Sequence, residues 1–284
     1  MSSLKIDHVT MAGPALEPMQ QAFAGLGLAT DYGGPHSNGV THMALLGFKD
    51  GSYIELISSL RPGEVETIFW GKHIMGSAGA CAWALEVGDV AGEADRVAAL
   101  GIPVDGPQYY YRSRPDGTLV EWDLAVLGDK GAGAKLPFLI KDITPRTWRV
   151  QPSASTVNSP LTGVVAVLLG VESLQETIAL FRRIYGWSPP QIAEDHVFGA
   201  KLAHFTGTPV FLATPLTRTG WLAKRLARFD ESPCAYLLGV TNFETARNEF
   251  RLEQGTVWFG CRLAWFDPAK LNGGRLGIID STQL

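Results

Sequence analysis

Apolar and polar positions along the chain follow a pattern whose period changes. Strand-like apolar runs stand at Ile6–Met11, Cys81–Val87, Gly163–Leu169 and Cys234–Val240, and each gives way to a short amphipathic segment. In the first such segment Leu16, Met19, Phe23 and Leu26 lie at i, i+3, i+7 and i+10, one stripe of a helix, and in the third Leu174, Ile178 and Phe181 form a similar stripe. Gly27, Gly101 and Gly186 close these segments, where a left-handed residue is needed and glycine strains least. Further strands follow, such as His42–Phe48 and Ser52–Ser58 joined by the turn Lys49-Asp50-Gly51. The repeated unit is βαβββ. One helix shields only one face of such a unit's sheet, so each unit is expected to pair with another.

The units are also related residue by residue. Cys81-Ala82-Trp83-Ala84-Leu85-Glu86-Val87 corresponds to Cys234-Ala235-Tyr236-Leu237-Leu238-Gly239-Val240, Gly117-Thr118-Leu119 to Gly255-Thr256-Val257, and Leu139-Ile140-Lys141-Asp142 to Gly277-Ile278-Ile279-Asp280. These tie the second quarter to the fourth. The first and third are tied by Leu16-Glu17, Phe23 and Leu26 against Leu174-Gln175, Phe181 and Ile184, and by Gly51–Leu56 against Gly207–Leu212. Between the halves, Pro145 to Pro160 is polar, proline-punctuated and without period, and reads as a linker. The expected organisation is an N-terminal domain over 1–146 built from modules 4–60 and 80–145, a linker over 147–160, and a C-terminal domain over 161–284 built from modules 161–216 and 233–284. The expected fold class is α+β, with four βαβββ modules paired into two domains.

Composition narrows the function classes. The 284 residues carry 24 Lys and Arg against 28 Asp and Glu, a formal net charge of -4, so there is no basic excess to neutralise phosphates and no nucleic-acid partner is expected. At 46% hydrophobic and 18% charged, the chain can bury a large core. No apolar run approaches the roughly 20 residues of a membrane span. Lys5, Asp7 and His8 interrupt the stretch where a secretory signal would be apolar, so the expected location is cytoplasmic, with no membrane partner. Cys81, Cys234 and Cys261 form no C-x-x-C pair and are expected as buried free thiols. A dinucleotide glycine fingerprint, a P-loop and a Gly-x-Ser-x-Gly elbow are all missing, so no nucleotide cofactor is expected.

Four stretches carry a resemblance: Ile6-Asp7-His8-Val9, Gly33-Gly34-Pro35-His36 leading to Gly39-Val40-Thr41-His42, Gly51–Ile57, and Leu136-Pro137-Phe138-Leu139-Ile140. Set on paired βαβββ units, they resemble the glyoxalase-like proteins of the vicinal oxygen chelate superfamily. The resemblance is strong over residues 4–60 and 80–145, and in the second half it holds at the level of the module. It implies two domains of that type with curved, cavity-forming mixed sheets. It also implies metal ligands on the first and last strands of a module, the positions of His8 and Glu55. The superfamily includes lyases, dioxygenases, epimerases and binding proteins that sequester antibiotics, so it points to fold more narrowly than to chemistry.

Strand alternation sets Ile6, His8 and Thr10 on one face and Asp7, Val9 and Met11 on the other, under the helix, which turns His8 toward the cavity. Tyr53, Glu55 and Ile57 likewise share a face. A carboxylate in the apolar run Tyr53–Ile57 is costly to bury without a partner or a cation. His8 and Glu55 are therefore the expected catalytic pair. They either hold one divalent ion, for which Zn, Fe, Mn, Co and Ni all suit imidazole with carboxylate, or bond each other across the sheet. A third ligand would come from His42, Asp142 or Glu121, because the second-module counterparts of His8 and Glu55 are Trp83 and Ile140. In the C-terminal half Val165 or Ala166, Phe211 and Tyr236 take these positions, and no site is expected there.

The expected substrate contacts are His42, Tyr53, Trp83, Tyr110, Arg112, Trp122 and Phe138, an aromatic wall with one cationic contact for a carboxylate or enolate. His36 reads as an exposed loop histidine, and Arg146 and Arg149 as a solvated or interdomain pair. The leading reading is a small-molecule enzyme of lyase or isomerase type, with a divalent metal acting as Lewis acid on a substrate that presents two adjacent oxygens. Two others stay open: a metal-free sequestration protein of the bleomycin-resistance type, and an extradiol-dioxygenase-like protein. The expected partner is a small molecule. A homodimer is compatible with this reading, the C-terminal half then being structural or dimerising.

Overall fold

The computed structural model describes residues 4–61, 63–64 and 69–283. Its first half runs β1 (Lys5–Ala12), α1 (Leu16–Gly25), β2 (Asp31–Pro35), β3 (Thr41–Gly47), β4 (Tyr53–Ser59), α2 (Gly71–Gly76), β5 (Gly79–Glu86), α3 (Val90–Ala98), β6 (Val104–Ser113), β7 (Leu119–Leu127) and β8 (Phe138–Asp142). Two one-turn helices follow, α4 (Arg146–Arg149) and α5 (Ala154–Val157). The second half runs β9 (Leu161–Gly170), α6 (Leu174–Tyr185), β10 (Gln191–Asp195), β11 (Ala200–His204), β12 (Val210–Pro215), α7 (Trp221–Phe229), β13 (Ser232–Val240), α8 (Phe243–Glu249), β14 (Thr256–Trp258), β15 (Cys261–Trp265) and β16 (Leu276–Ile279).

The four βαβββ units pair as the pattern predicts. The first sheet has the order β2-β3-β4-β1-β5-β8-β7-β6 and the second β10-β11-β12-β9-β13-β16-β15-β14, the same plan twice. In each, the first strand of a unit lies parallel to its last, and two units meet where their first strands run antiparallel, β1 against β5 and β9 against β13. The helices follow from the sequence as read. Leu16, Met19 and Phe23 form the buried face of α1, Asp89 caps α3 by accepting from the Gly92 amide, and Gly186 ends α6 in the left-handed conformation. One core runs through both halves, holding Val9, Met11 and Trp83 from the first sheet with Val167, Tyr236 and Leu238 from the second. All three cysteines are buried and free.

The segment between the halves is not the structureless linker its composition suggests. Ser153 accepts from the Gly47 amide at 3.1 Å, the Ser153 amide donates to the Gly47 carbonyl at 3.1 Å, and Thr156 Oγ1 donates to the same carbonyl at 2.6 Å. Gly47 is needed here, because a Cβ would run into the Gln151 backbone. Polar residues that look solvated in the sequence are spent on the end of β3, tying the segment to the first sheet.

The second sheet fills its own concave face. Phe198 stacks on Trp265 at 5.2 Å between ring centroids and meets Trp221 and Trp258 edge-on at 5.1 Å each. Phe211 joins this cluster, and α7 lays Leu222 and Leu226 across it. Replacing Phe198 with Ala is expected to destabilise the protein by about 3–5 kcal/mol, as large aromatic truncations in cores do. Urea unfolding followed by fluorescence measures this, and a change below about 1 kcal/mol would show that the cluster is loosely packed.

Candidate functional site

The concave face of the first sheet encloses a cavity of about 520 Å³. Strand β4 turns Tyr53, Glu55 and Ile57 into it and Ile54 and Leu56 into the core, as alternation predicts. Strand β1 departs from strict alternation, because its pairing with β5 shifts between Ile6 and His8. Ile6 faces the core with Val9 and Met11, so the two residues between them are displaced by the bulge. His8 faces the cavity as expected. Asp7, expected under the helix, instead lies beside the His8 ring.

Asp7 is fully buried and is the hub of the cavity floor. Its Oδ1 accepts from His8 Nδ1 at 2.6 Å and from Arg149 at 2.9 Å, and its Oδ2 accepts from Arg149 at 2.7 Å and from Arg146. The same two arginines engage Asp142. Arg149 also donates to the Tyr53 hydroxyl at 2.9 Å, and the Tyr53 ring stacks on His8 at 4.6 Å. Burial alone would raise the Asp7 pKa, but the charge of Arg149 and the hydrogen bonds from His8 and Arg149 outweigh it and hold the carboxyl well below its ordinary value. Asp7 is thus an anion and can only accept, so His8 Nδ1 carries the proton. In the neutral ring the lone pair is then on His8 Nε2, which has no hydrogen-bond partner among the described residues.

Glu55 sits 6% exposed, its Oε1 3.5 Å from His36 Nε2, while His36 Nδ1 is held by Thr41 Oγ1 at 2.9 Å. Burial pushes the Glu55 carboxyl up, but His36, His8 and Arg112 together pull it below its ordinary value. Arg112 is 4% exposed and donates to the Gly33 and Arg149 carbonyls at 2.8 Å each. It has no carboxylate partner among the described residues. Tyr110 stacks on Trp122, and with Phe138, Trp70 and Met43 they give the cavity its apolar wall.

Of the expected contacts, Tyr53, Tyr110, Arg112, Trp122 and Phe138 line the cavity with His8 and Glu55. Two do not. Trp83 faces the core, because β5 turns Ala82 and Ala84 toward the cavity side. His42 lies on the other face of β3 from the cavity-lining Thr41 and Met43, and its Nε2 bonds Ser58 at 2.8 Å. Asp142 is engaged by Arg149 and Arg146, and Glu121 accepts from Tyr109 at 2.6 Å, so neither stands ready as a third ligand. His36 is a cavity residue and not an exposed loop histidine. Arg146 and Arg149 are neither solvated nor interdomain: they bind Asp7 on β1 and Asp142 on β8. Asp7 has no role in the sequence pattern, and Arg149 and His36 read from it as residues away from the site; the signals for Asp7 and His36 are an acidic residue inside an apolar strand and a histidine two residues past a glycine pair.

Comparison with known proteins fits this architecture. The glyoxalase-like domain family model matches residues 6–185, and the chain belongs to that family, within the vicinal oxygen chelate superfamily. Among solved structures, the chain is similar to a hypothetical protein from Staphylococcus aureus, at 12% identity and a TM-score of 0.63, covering 97% of this chain and 98% of that one. It is similar over 100% of its length to 94% of a mutant 4-hydroxymandelate synthase from Streptomyces coelicolor, at 12% identity and a TM-score of 0.62. At these identities the likeness shows the fold alone. A methylmalonyl-CoA epimerase from Mycobacterium tuberculosis aligns over 44% of this chain and 91% of its own, at 16% identity and a TM-score of 0.39. No curated protein matches the chain. Among the described residues no helix is long and apolar enough to cross a membrane.

Removing Asp7 tests the hub. Asp7→Asn is expected to lower stability at pH 7 by about 3–5 kcal/mol, because it leaves two guanidinium groups, one of them buried, with only the Asp142 carboxylate between them. The depressed Asp7 pKa means that its contribution is complete above the unfolded-state value of about 4 and is lost as pH falls toward the folded-state value. Denaturation of wild type and variant from pH 7 to 2 should show the gap closing on acidification.

Proposed function

We propose that the first-sheet cavity is the active site of a small-molecule enzyme of lyase or isomerase type, which moves a proton on a small acidic or aromatic substrate. The observation that carries this reading is the presence of two proton-accepting groups, His8 Nε2, which has no hydrogen-bond partner among the described residues, and the anionic Glu55, in one largely apolar cavity. Either can take a proton from carbon and, once protonated, return that same proton to a neighbouring atom of the substrate. Arg112, buried without a carboxylate partner, offers charge to an anionic group or a developing enolate. The aromatic wall supplies contact area for a planar body and keeps water from the reacting carbon.

A divalent metal is implied by the family resemblance. His8 and Glu55 are donors of the right kind, and a carboxylate behind an imidazole is a familiar outer-shell partner. Yet among the described residues no three His, Cys, Asp or Glu side chains are grouped so as to hold an ion, and two guanidinium groups line the same cavity. The residues do not fit a resident metal. The sequestration reading is favoured by the apolar wall and separates from the enzymatic one by turnover.

The test is deuterium exchange at the acidic C–H of small aromatic 2-hydroxy and 2-oxo acids, beginning with C2 of mandelate and C3 of phenylpyruvate, followed by proton NMR in D2O. Exchange above the buffer rate is expected, falling by about 10²–10⁴-fold in His8→Ala and Glu55→Gln. Tight binding without exchange would favour sequestration and overturn the enzymatic reading. Zn, Mn, Co and Ni ions are expected to leave the melting temperature unchanged, whereas a rise abolished by His8→Ala would restore the metal.

A further inference from the structure

We infer that Tyr236 of the second sheet is a positioning residue for the cavity of the first, setting the offset between its two walls through a single hydroxyl. Strands β1 and β5 are the seam where the two modules of the first sheet meet. Their pairing slips there: Thr10 lies opposite Ala82 and Met11 opposite Ala80, so Cys81 has no register partner across the seam, although its thiol donates to the Thr10 carbonyl at 3.4 Å. Cys81 is fully buried, and an orphaned amide at that depth costs about 1–3 kcal/mol. The gap is filled from outside the sheet. Tyr236, on β13, accepts from the Cys81 amide at 3.1 Å and directs its proton between the Thr10 carbonyl at 2.8 Å and the Ala82 carbonyl at 2.7 Å. Arg225, on α7, adds bonds to the Ala78 and Ala80 carbonyls at the start of β5.

The seam matters because each module supplies one wall. Thr10 stands two residues beyond His8 on β1. Across the seam, Ala84 pairs with both His8 and Phe138, and the Phe138 ring lies 5.2 Å from that of His8. A slip at Cys81 therefore changes where His8 stands relative to Phe138. The arrangement is one-way. The second sheet repeats the bulge at Cys234, between Pro233 and Ala235, but the residue matching Tyr236 is Trp83, whose indole N–H is buried without a partner among the described residues. The domain with a filled concave face thus braces the domain with a cavity.

Amide hydrogen exchange and histidine-ring NMR test this without a substrate. In the wild type the Cys81 amide should be protected as strongly as its ladder-bonded neighbours; exchange at the rate of an unbonded amide would overturn the inference whatever any variant does. Tyr236→Phe keeps the ring and removes the hydroxyl. It is expected to speed Cys81 exchange roughly tenfold and to shift the His8 ring signals. Tyr185→Phe removes another buried hydroxyl, one without a partner, and should move neither. A folded Tyr236→Phe protein with unchanged Cys81 protection and unmoved His8 signals would also overturn it.

Discussion

A buried carboxylate clamped by two arginines is the constraint on which the cavity depends. Asp7 could not remain charged at full burial without Arg149 and Arg146, and those arginines come from a segment that composition alone would assign to solvent. The ion pairs therefore do two jobs. They fasten the segment after β8 to the first strand of the sheet, and they fix which nitrogen of His8 carries the proton. The second job follows from the first, because an anionic Asp7 leaves His8 Nδ1 no role but donor.

The two halves show how one plan can be kept in backbone and divided in function. Both sheets have the same strand order and the same slip at a cysteine on the seam. In the first half, the inward positions of the last strand of module one hold Tyr53, Glu55 and Ile57 around an open space. In the second, Phe211 stands where Glu55 does, and Phe198 with three tryptophans closes the space. Filling a concave face with aromatics contributes stability and removes binding capacity. The second half can then act as a rigid brace, which the Tyr236 hydroxyl makes specific.

Much of the fold was legible because period and repetition are properties of the chain. The alternation along Tyr53–Ile57 placed Glu55 correctly, and the fourfold repeat anticipated both sheets. What stayed hidden came from departures from period. One bulge at Asp7 carried that residue from the helix side to the hub of the floor, and another at Cys81 left Trp83 in the core where simple matching put it on the cavity wall. His42 and His36 exchanged expected roles because β3 alternation turns Thr41 and Met43 inward, a parity that the preceding turn does not reveal. The arginines were illegible for a different reason: Asp142 lies close to them in the chain, but Asp7, the carboxylate that buries them, lies over 130 residues away on β1, and local composition carries no trace of it.

The central claim is that Asp7 and its arginines hold His8 with Nδ1 protonated and Nε2 bare toward the cavity. Nitrogen-15 NMR of the histidine rings, with the His8 resonances assigned by substitution, reads this directly from the neutral ring. The account predicts the Nδ1–H form; a neutral His8 ring protonated on Nε2 would contradict it, and with it the proposed proton acceptor.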